Sequence, residues 1–215
     1  MRPLSGSTYL NLPVLDGLFS MVGLEDDSPS RRVTLLDYGP GLPWADAHER
    51  VPRYRRTLRF QLDGRADVAD LLGFFDSRFG RLKPFWLPSW DTDLTLAEAV
   101  EAASGQLSIH SPELTGYHAR VYPQGASRRH LQLDAWGFAT VRAQVTGIVS
   151  HGAGVATLAL NDPLAEAFPD WARVCFLRHC RFDTDEARLE FKGDYAQCEL
   201  PILELPNECP EALSA

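Results

Sequence analysis

The sequence has no apolar run that approaches the roughly 18 residues a membrane-spanning helix needs. Residues 1–7 lack the apolar core of a signal peptide. We therefore expect no membrane span and synthesis in the cytoplasm. The 215 residues are 45% hydrophobic and 23% charged, which is ordinary globular composition with enough apolar side chains for a core of good size.

Basic residues are scarce relative to acidic ones, with 21 Lys and Arg against 29 Asp and Glu. Because duplex binding is driven mainly by basic groups, the net charge of −8 argues against nucleic-acid binding. Residues 1–90 are balanced, with 12 basic and 11 acidic groups, whereas residues 91–215 hold 9 basic and 18 acidic groups. This asymmetry suits subunits that pack against unlike surfaces of one another.

Only four cysteines occur, Cys175, Cys180, Cys198 and Cys209, too few for a disulfide scaffold. Their C-x4-C-x17-C-x10-C spacing leaves zinc or an iron–sulfur cluster open as an alternative. Against this, no C-x2-C pair is present, and residues five apart on a predicted strand, such as Cys175 and Cys180, point to opposite faces. Buried structural thiols are the favoured interpretation.

Motifs of catalysis are also missing. The sequence has no Gly-x-Ser-x-Gly elbow, no phosphate loop, no dinucleotide fingerprint and no histidine pair at helical zinc spacing. Asp91 and Asp93 would point the same way in an extended segment, as calcium ligands or as acid and base on a glycoside. Capping of a short helix over residues 96–103 is the favoured role. We expect neither catalysis nor a cofactor.

Alternation over residues 53–62 predicts a half-buried strand. One face carries Tyr54, Leu58, Phe60 and Leu62, and the other carries Arg53, Arg55 and Arg59. A solvated face and a subunit interface are both open for the arginines, since arginine is enriched at interfaces.

One helix follows, beginning at Asp63 or Gly64 and ending at Gly80. Its apolar stripe has helical spacing and consists of Val68, Leu71, Leu72, Phe75 and Phe79. Residues 84–88 are apolar but contain two prolines, which predicts a short edge segment.

Short alternating runs separated by Gly-rich turns follow at residues 106–110, 130–133, 139–149 and 155–160, with Val141, Ala143, Val145 and Val149 on one face of the longest. Bolder strands close the chain at residues 173–182, around 187–191, and at 195–205. The prediction is a mainly β fold with one packed helix. Residues 1–90 and 172–215 form one domain with an N-terminal arm over 1–30, and residues 91–171 form an inserted small β-barrel or sandwich.

The run LLGFFDSRFGRLKPFWLPSWDTDL at residues 71–94 resembles a motif of the distal tail proteins of siphophages and gene transfer agents. The closing runs RFDTDEARLEF and CELPILELP resemble the usual ending of that family. The matching positions of the first run are Phe74, Phe75, Arg78, Gly80, Arg81, Phe85, Trp86 and Asp93.

The resemblance implies a tail-tube-like β-sandwich that assembles into a six-fold ring in the virion tail, between the tail tube protein and the baseplate hub, without catalysis. The protein would be made in the host cytoplasm. As a hypothesis, Arg53, Arg55 and Arg59 meet acidic groups of the next subunit, from the cluster Asp183, Asp185 and Glu186. Tail-tip proteins of a different type carry a C-terminal iron–sulfur cluster, which keeps the cysteine alternative open.

Two further alternatives concern residues 91–171. The region could bind a receptor or a carbohydrate through Tyr117, Tyr122, Trp136 and Phe138, although such aromatics are more often core residues. A tail-associated hydrolase using Asp91 or Asp93 is the least favoured alternative.

Overall fold

A computed structural model describes residues 7–16, 20–21, 28–30, 33–36, 39, 44–47, 52–110, 129–152, 154–206 and 208. The described residues form a mainly β protein with one helix and a large antiparallel sheet, which confirms the expectation of a mainly β fold with one helix. In chain order the elements are β1 (Thr8–Tyr9), β2 (Leu12–Pro13), β3 (Ser20–Met21), β4 (Ser28–Ser30), β5 (Val33–Leu36), β6 (Trp44–Ala47), β7 (Arg53–Leu62), α1 (Arg65–Arg78), β8 (Phe85–Pro88), β9 (Thr95–Leu96), β10 (Gln106–His110), β11 (His130–Asp134), β12 (Val141–Gly152), β13 (Val155–Leu160), β14 (Arg173–Phe182), β15 (Arg188–Lys192) and β16 (Tyr195–Glu204).

The chain divides into two compact units. The first unit comprises residues 1–86 and 179–215, and the second unit comprises residues 87–178. The sequence-based boundaries lie four residues later at the first division, after residue 90, and seven residues earlier at the second, after residue 171. No helix in the described part of the chain is long and apolar enough to cross a bilayer.

The first unit is built on β7 and β16, which pair antiparallel from Leu62 with Ala196 to Arg55 with Leu203. Strand β15 pairs with residues 195–199 of β16, which follows it in a hairpin. Residues 180–182 of β14 pair with residues 202–204 at the end of β16. Leu58, Phe60 and Leu62 are buried while Arg55 and Arg59 are exposed, so the alternation predicted for β7 is confirmed. Strands β5 and β6 form a separate two-stranded hairpin.

Helix α1 begins after Gly64, as predicted, and the buried carboxylate of Asp67 accepts the backbone N–H of Asp63 at 3.0 Å. The expected stripe is wrong at Phe79, whose side chain is 63% exposed. The chain enters the left-handed region at Phe79 (φ 54°) and leaves the helix, which turns that ring away from the core. Phe74 is buried instead.

Strand β8 is buried at every residue, and one named strand, β14, pairs with it. Trp86 forms a parallel bridge with Val14 and accepts the N–H of Leu15 at 2.8 Å, while β8 also pairs with β14. Pro84 precedes the strand and Pro88 ends it. Because prolines at these positions interrupt few ladder hydrogen bonds, the segment is compatible with neighbours on both sides.

The second unit is an antiparallel series. Residues 173–177 of β14 pair with β11, β11 pairs with β12, β12 with β13, β13 with β10, and β10 with β9. Its core is a single cluster of aliphatic and aromatic side chains, which includes Leu107, Ile109, Leu131, Leu133, Leu158, Phe168, Val174 and Phe176.

Two sequence-based expectations for this unit are wrong. Residues 96–103 are not helical, because their backbone N–H groups bond to other segments of the chain. The N–H of Val100 donates to the carbonyl of Phe168 at 2.7 Å, and that of Ala97 donates to the carbonyl of Ser108 at 2.9 Å. Val149 is 56% exposed although Ala143 and Val145 are buried. Register shifts in β12 after Val145 and Ile148 change which face the later residues occupy.

Candidate functional site

The turn after α1 places Gly80 directly against Asp185. Gly80 has a φ of 58°, and a Cβ atom added to it would lie 2.7 Å from Oδ1 and 3.0 Å from Cα of Asp185. Left-handed backbone and close packing therefore both require glycine at this position.

Arg81, the next residue, binds the same carboxylate. Its backbone N–H donates to Oδ1 of Asp185 at 3.1 Å, and its Nε and Nη2 donate to Oδ2 at 2.8 and 2.5 Å. The hydrogen bonds from Arg81 lower the pKa of Asp185, and Asp185 in turn raises the pKa of Arg81. Both side chains are more than half exposed, so the ion pair adds little to the free energy of unfolding and mainly fixes the geometry of the turn.

Four phenylalanine rings pack together beneath this turn. Phe182 of β14 lies 5.0 Å from Phe75, 4.7 Å from Phe85 and 6.2 Å from Phe74, measured between ring centroids. Phe74 and Phe85 meet edge to face at 5.4 Å. The cluster joins α1, β8 and β14 through the contact geometry that aromatic pairs prefer.

Arg78 and Trp86 extend the same packing. The guanidinium of Arg78 lies 5.9 Å from the ring centroid of Phe74, and partial burial lowers its pKa. The indole Nε1 of Trp86 donates to the carbonyl of Tyr9 at 2.9 Å, which satisfies its one donor inside the core.

Asp93 lies in the second unit and accepts a hydrogen bond from the backbone. Its carboxylate accepts the N–H of Phe176 at 2.8 Å and the hydroxyl of Ser89. Asp91 is exposed. No helix follows, so the expected capping role is wrong, and the half-buried carboxylate of Asp93 is bound to the backbone of strand β14. The other seven motif residues lie in the first unit.

The arginine face of β7 has partners within its own chain. Nε of Arg55 lies 3.0 Å from Asp183, and Nε of Arg59 lies 2.9 Å from Glu199 of the neighbouring strand β16. Arg53 is half-buried. Since Asp183 binds Arg55 and Asp185 binds Arg81, two acids of the cluster suggested for a neighbouring subunit already have intramolecular partners.

The cysteines are dispersed through the core. Cys175 is opposite Gln132 in the second unit, while Cys180 is opposite Glu204 and Cys198 opposite Phe60 in the first. All three are buried and outside any disulfide, and burial raises the pKa of the Cys175 and Cys198 thiols to about 11. Cys209 lies outside the described residues. Within the described ranges, no three His, Cys, Asp or Glu side chains come together as metal ligands.

A groove of about 620 Å³ lies in the first unit between the start of α1 and the β15–β16 turn. Val68 and Leu72 line it on the helix side, and Phe191 and Tyr195 line it on the hairpin side. Sequence reasoning missed this groove. The alternation of residues 187–191 predicted only that Phe191 lies on a strand. In the structure its side chain is 71% exposed.

The aromatic residues considered for ligand binding differ in exposure. Trp136 is 93% exposed and Phe138 41%, while Tyr117 and Tyr122 lie outside the described residues. Trp171, which sequence reasoning did not single out, is 62% exposed and its ring centroid lies 6.4 Å from that of Phe138.

Comparison of the chain with protein-family models and with curated proteins gives no match.

Proposed function

We propose that this protein is a distal tail protein, a non-catalytic ring component that joins the tail tube of a bacteriophage to its baseplate hub. The supporting observation is a contact between two separate stretches that resemble that family. Residues 71–94 and 181–191 meet through the ion pair of Arg81 with Asp185 and through the packing of Phe182 on Phe74 and Phe85.

The contact supports the proposal because the two stretches that resemble the family pack against each other. Arg81 and Asp185 are 104 positions apart in the sequence. Gly80, a motif position, is also the residue whose missing side chain allows the approach. The support is therefore the meeting of Gly80 and Arg81 of the first stretch with Asp185 of the second.

In this proposal the first unit forms the ring as a tail-tube-like β-sandwich, and the second unit is the insertion. Hairpin β5–β6 is a candidate for contact between subunits, because Val33, Leu35 and Trp44 are each exposed by 46% or more. An isolated two-stranded hairpin is marginally stable in water, so an exposed apolar one suits a surface covered by another subunit. The exposed Arg55 and Arg59 offer a second candidate contact.

The test is the assembly state of the full chain. We expect size-exclusion chromatography with light scattering to show a six-fold oligomer, and negative-stain electron microscopy to show closed rings. Leu35→Asp should reduce ring formation without changing the circular dichroism spectrum, whereas Leu82→Asp, at a 72% exposed position outside the hairpin, should not. A chain that stays monomeric over a concentration series, with tail tube and hub proteins added, would contradict the proposal.

A further inference from the structure

The core face of the sheet in the first unit extends beyond the helix that covers it. Phe191 of β15 is directly opposite Ala196 of β16, which is in turn opposite Leu62 of β7. Residues directly opposite each other lie on the same face of a sheet, so Phe191 shares a face with the buried Ala196 and Leu62. Its side chain is nevertheless 71% exposed. The core face therefore has an uncovered apolar margin at β15.

The groove beside α1 lies along this margin. Val68 and Leu72 are one helical turn apart and form its helix wall, and Phe191 lies on the opposite wall. The charged residues of the lining, Arg65 and Asp194, are both exposed. Because a small-molecule site has polar groups that converge inside a cavity, an apolar protein segment fits this groove better than a polar small molecule does.

Strand β15 also has an open edge. Among the described strands, only β16 pairs with it. Such an edge presents backbone N–H and C=O groups to which a strand of another chain can add. A strand added there would continue the sheet, and its side chains on the core face would lie beside Phe191 and cover the groove.

The hairpin β5–β6 has the matching properties. Val33 and Leu35 alternate along β5, and Leu35 is opposite Ala45 of β6. The three side chains are exposed and form one apolar face. Within the described part of the chain, β5 and β6 pair only with each other, so the hairpin also has open edges.

The exposure of both surfaces indicates that the hairpin comes from a second copy of the chain. Leu35 is 68% and Phe191 71% exposed within a single chain, so the hairpin does not fill the groove of its own copy. A second copy supplies an apolar face together with an open strand edge. Charge favours the same pairing, because the described hairpin residues carry one charge, Asp46, whereas β15 has two basic residues and one acidic residue.

We propose that the groove beside α1 receives hairpin β5–β6 of the next copy, with one hairpin strand adding to the edge of β15. Hairpin and groove are different surfaces of one chain, so the contact is heterologous. Repeated heterologous contacts close into a ring when the rotation between subunits allows it. This inference rests on the proposed ring and names the surface that the hairpin contacts within it.

Two variants of the full chain, each with one altered surface, test the pairing. Leu35→Asp alters the hairpin, and Phe191→Asp places a charge in the groove at a largely exposed position. Each variant alone should be monomeric by light scattering, at 24.0 kDa. An equimolar mixture should form dimers of twice this mass and no larger species, because the intact hairpin of one variant fits the intact groove of the other.

Two further variants complete the test. Val68→Asp, on the helix wall of the groove, should behave as Phe191→Asp does, alone and in the mixture. Phe79→Asp is the matched control, because Phe79 is 63% exposed but lies at the other end of α1, and this variant should still form rings. Circular dichroism of each variant excludes a loss of fold as the cause of a loss of assembly.

The outcomes separate this inference from the proposed function. Rings formed by Phe191→Asp and Val68→Asp as readily as by the parent would overturn the inference and leave the ring intact. A mixture that stays monomeric would also overturn it, since the two intact surfaces would then not bind each other. A parent chain that is itself monomeric would contradict the ring and this contact together.

Discussion

The backbone N–H and the guanidinium of Arg81 both donate to the carboxylate of Asp185, which lies 104 positions further along the chain. The same aspartate packs on the bare Cα of Gly80. One turn after the helix is therefore shaped by one residue of the loop that follows β14. Because neither stretch can be altered at this point without disturbing the other, the contact offers direct tests of the fold.

Gly80→Ala should lower the free energy of unfolding by about 2 kcal/mol or more. The left-handed conformation costs a non-glycine residue roughly 1–2 kcal/mol, and the added Cβ would also press on backbone as well as side-chain atoms of Asp185. Urea unfolding followed by circular dichroism measures the change.

Gly73→Ala is the matched control. Gly73 lies within α1, and a Cβ there would meet no atom within 4 Å. Alanine is favoured over glycine in a helix by up to about 1 kcal/mol, so this variant should be as stable as the parent or more stable. Equal destabilisation by both substitutions would show that the contact with Asp185 has no special role.

Phe182→Ala should destabilise the protein by about 3–5 kcal/mol, since it removes the ring that contacts Phe74, Phe75 and Phe85. Phe191→Ala removes a ring that is 71% exposed and should change stability by less than about 0.5 kcal/mol. Thermal unfolding of the two variants side by side provides the measurement. A small effect of Phe182→Ala would mean that the four-ring cluster does not hold the helix to the strands.

The sequence predicts those strands that have one face against the core and the other face in water. Strand β7 is the plainest example, because the exposed Arg55 and Arg59 lie on the face opposite the buried Leu58, Phe60 and Leu62. The bounds predicted for β14 also agree with the structure. Local periodicity is sufficient in such cases because burial repeats at the period of the element.

Features that depend on a local break or on a distant partner could not be predicted. The stripe of α1 continues in sequence through Phe79, yet the left-handed backbone at that residue ends it. Register shifts in β12 expose Val149, and no spacing rule reveals them. Asp185 shows no sign in sequence of its contact with Gly80, and Trp171 belongs to no periodic run, so the contact and the exposure of Trp171 emerged only from the structure.

Charge reversal at Arg59 separates an intramolecular role from an intersubunit role. Its ion pair with Glu199 joins two largely exposed side chains, so Arg59→Glu should reduce the free energy of unfolding by less than about 1 kcal/mol. Adding Glu199→Arg restores opposite charges within the chain and should restore that stability. If Arg59 also contacts a neighbouring subunit, Arg59→Glu should impair ring formation and Glu199→Arg should not repair it.

Light scattering and thermal unfolding of the single and double variants distinguish the two roles. Recovery of both rings and stability in the double variant would limit Arg59 to its own sheet and remove it from the interface hypothesis. Arg55 can be tested in the same way through its partner Asp183.

The buried thiols predict a loss of stability in alkaline solution. Burial raises the pKa of Cys175 and of Cys198 from 9.0 to about 11, so the unfolded chain releases these protons at lower pH than the folded chain does. Between pH 9 and 11 the unfolded state binds fewer protons, and the free energy of unfolding therefore falls as pH rises. Below pH 9 both states keep the protons and this contribution is constant.

The measurement is urea unfolding at a series of pH values, for the parent and for the double variant Cys175→Ala with Cys198→Ala. The variant should be less stable throughout, because each substitution removes a buried side chain, but its decline between pH 9 and 11 should be shallower. The slope is thus the informative quantity, since a cavity lowers stability at every pH whereas proton release acts only within this interval. Equal slopes in the two proteins would show that other groups, and not these thiols, govern the alkaline transition.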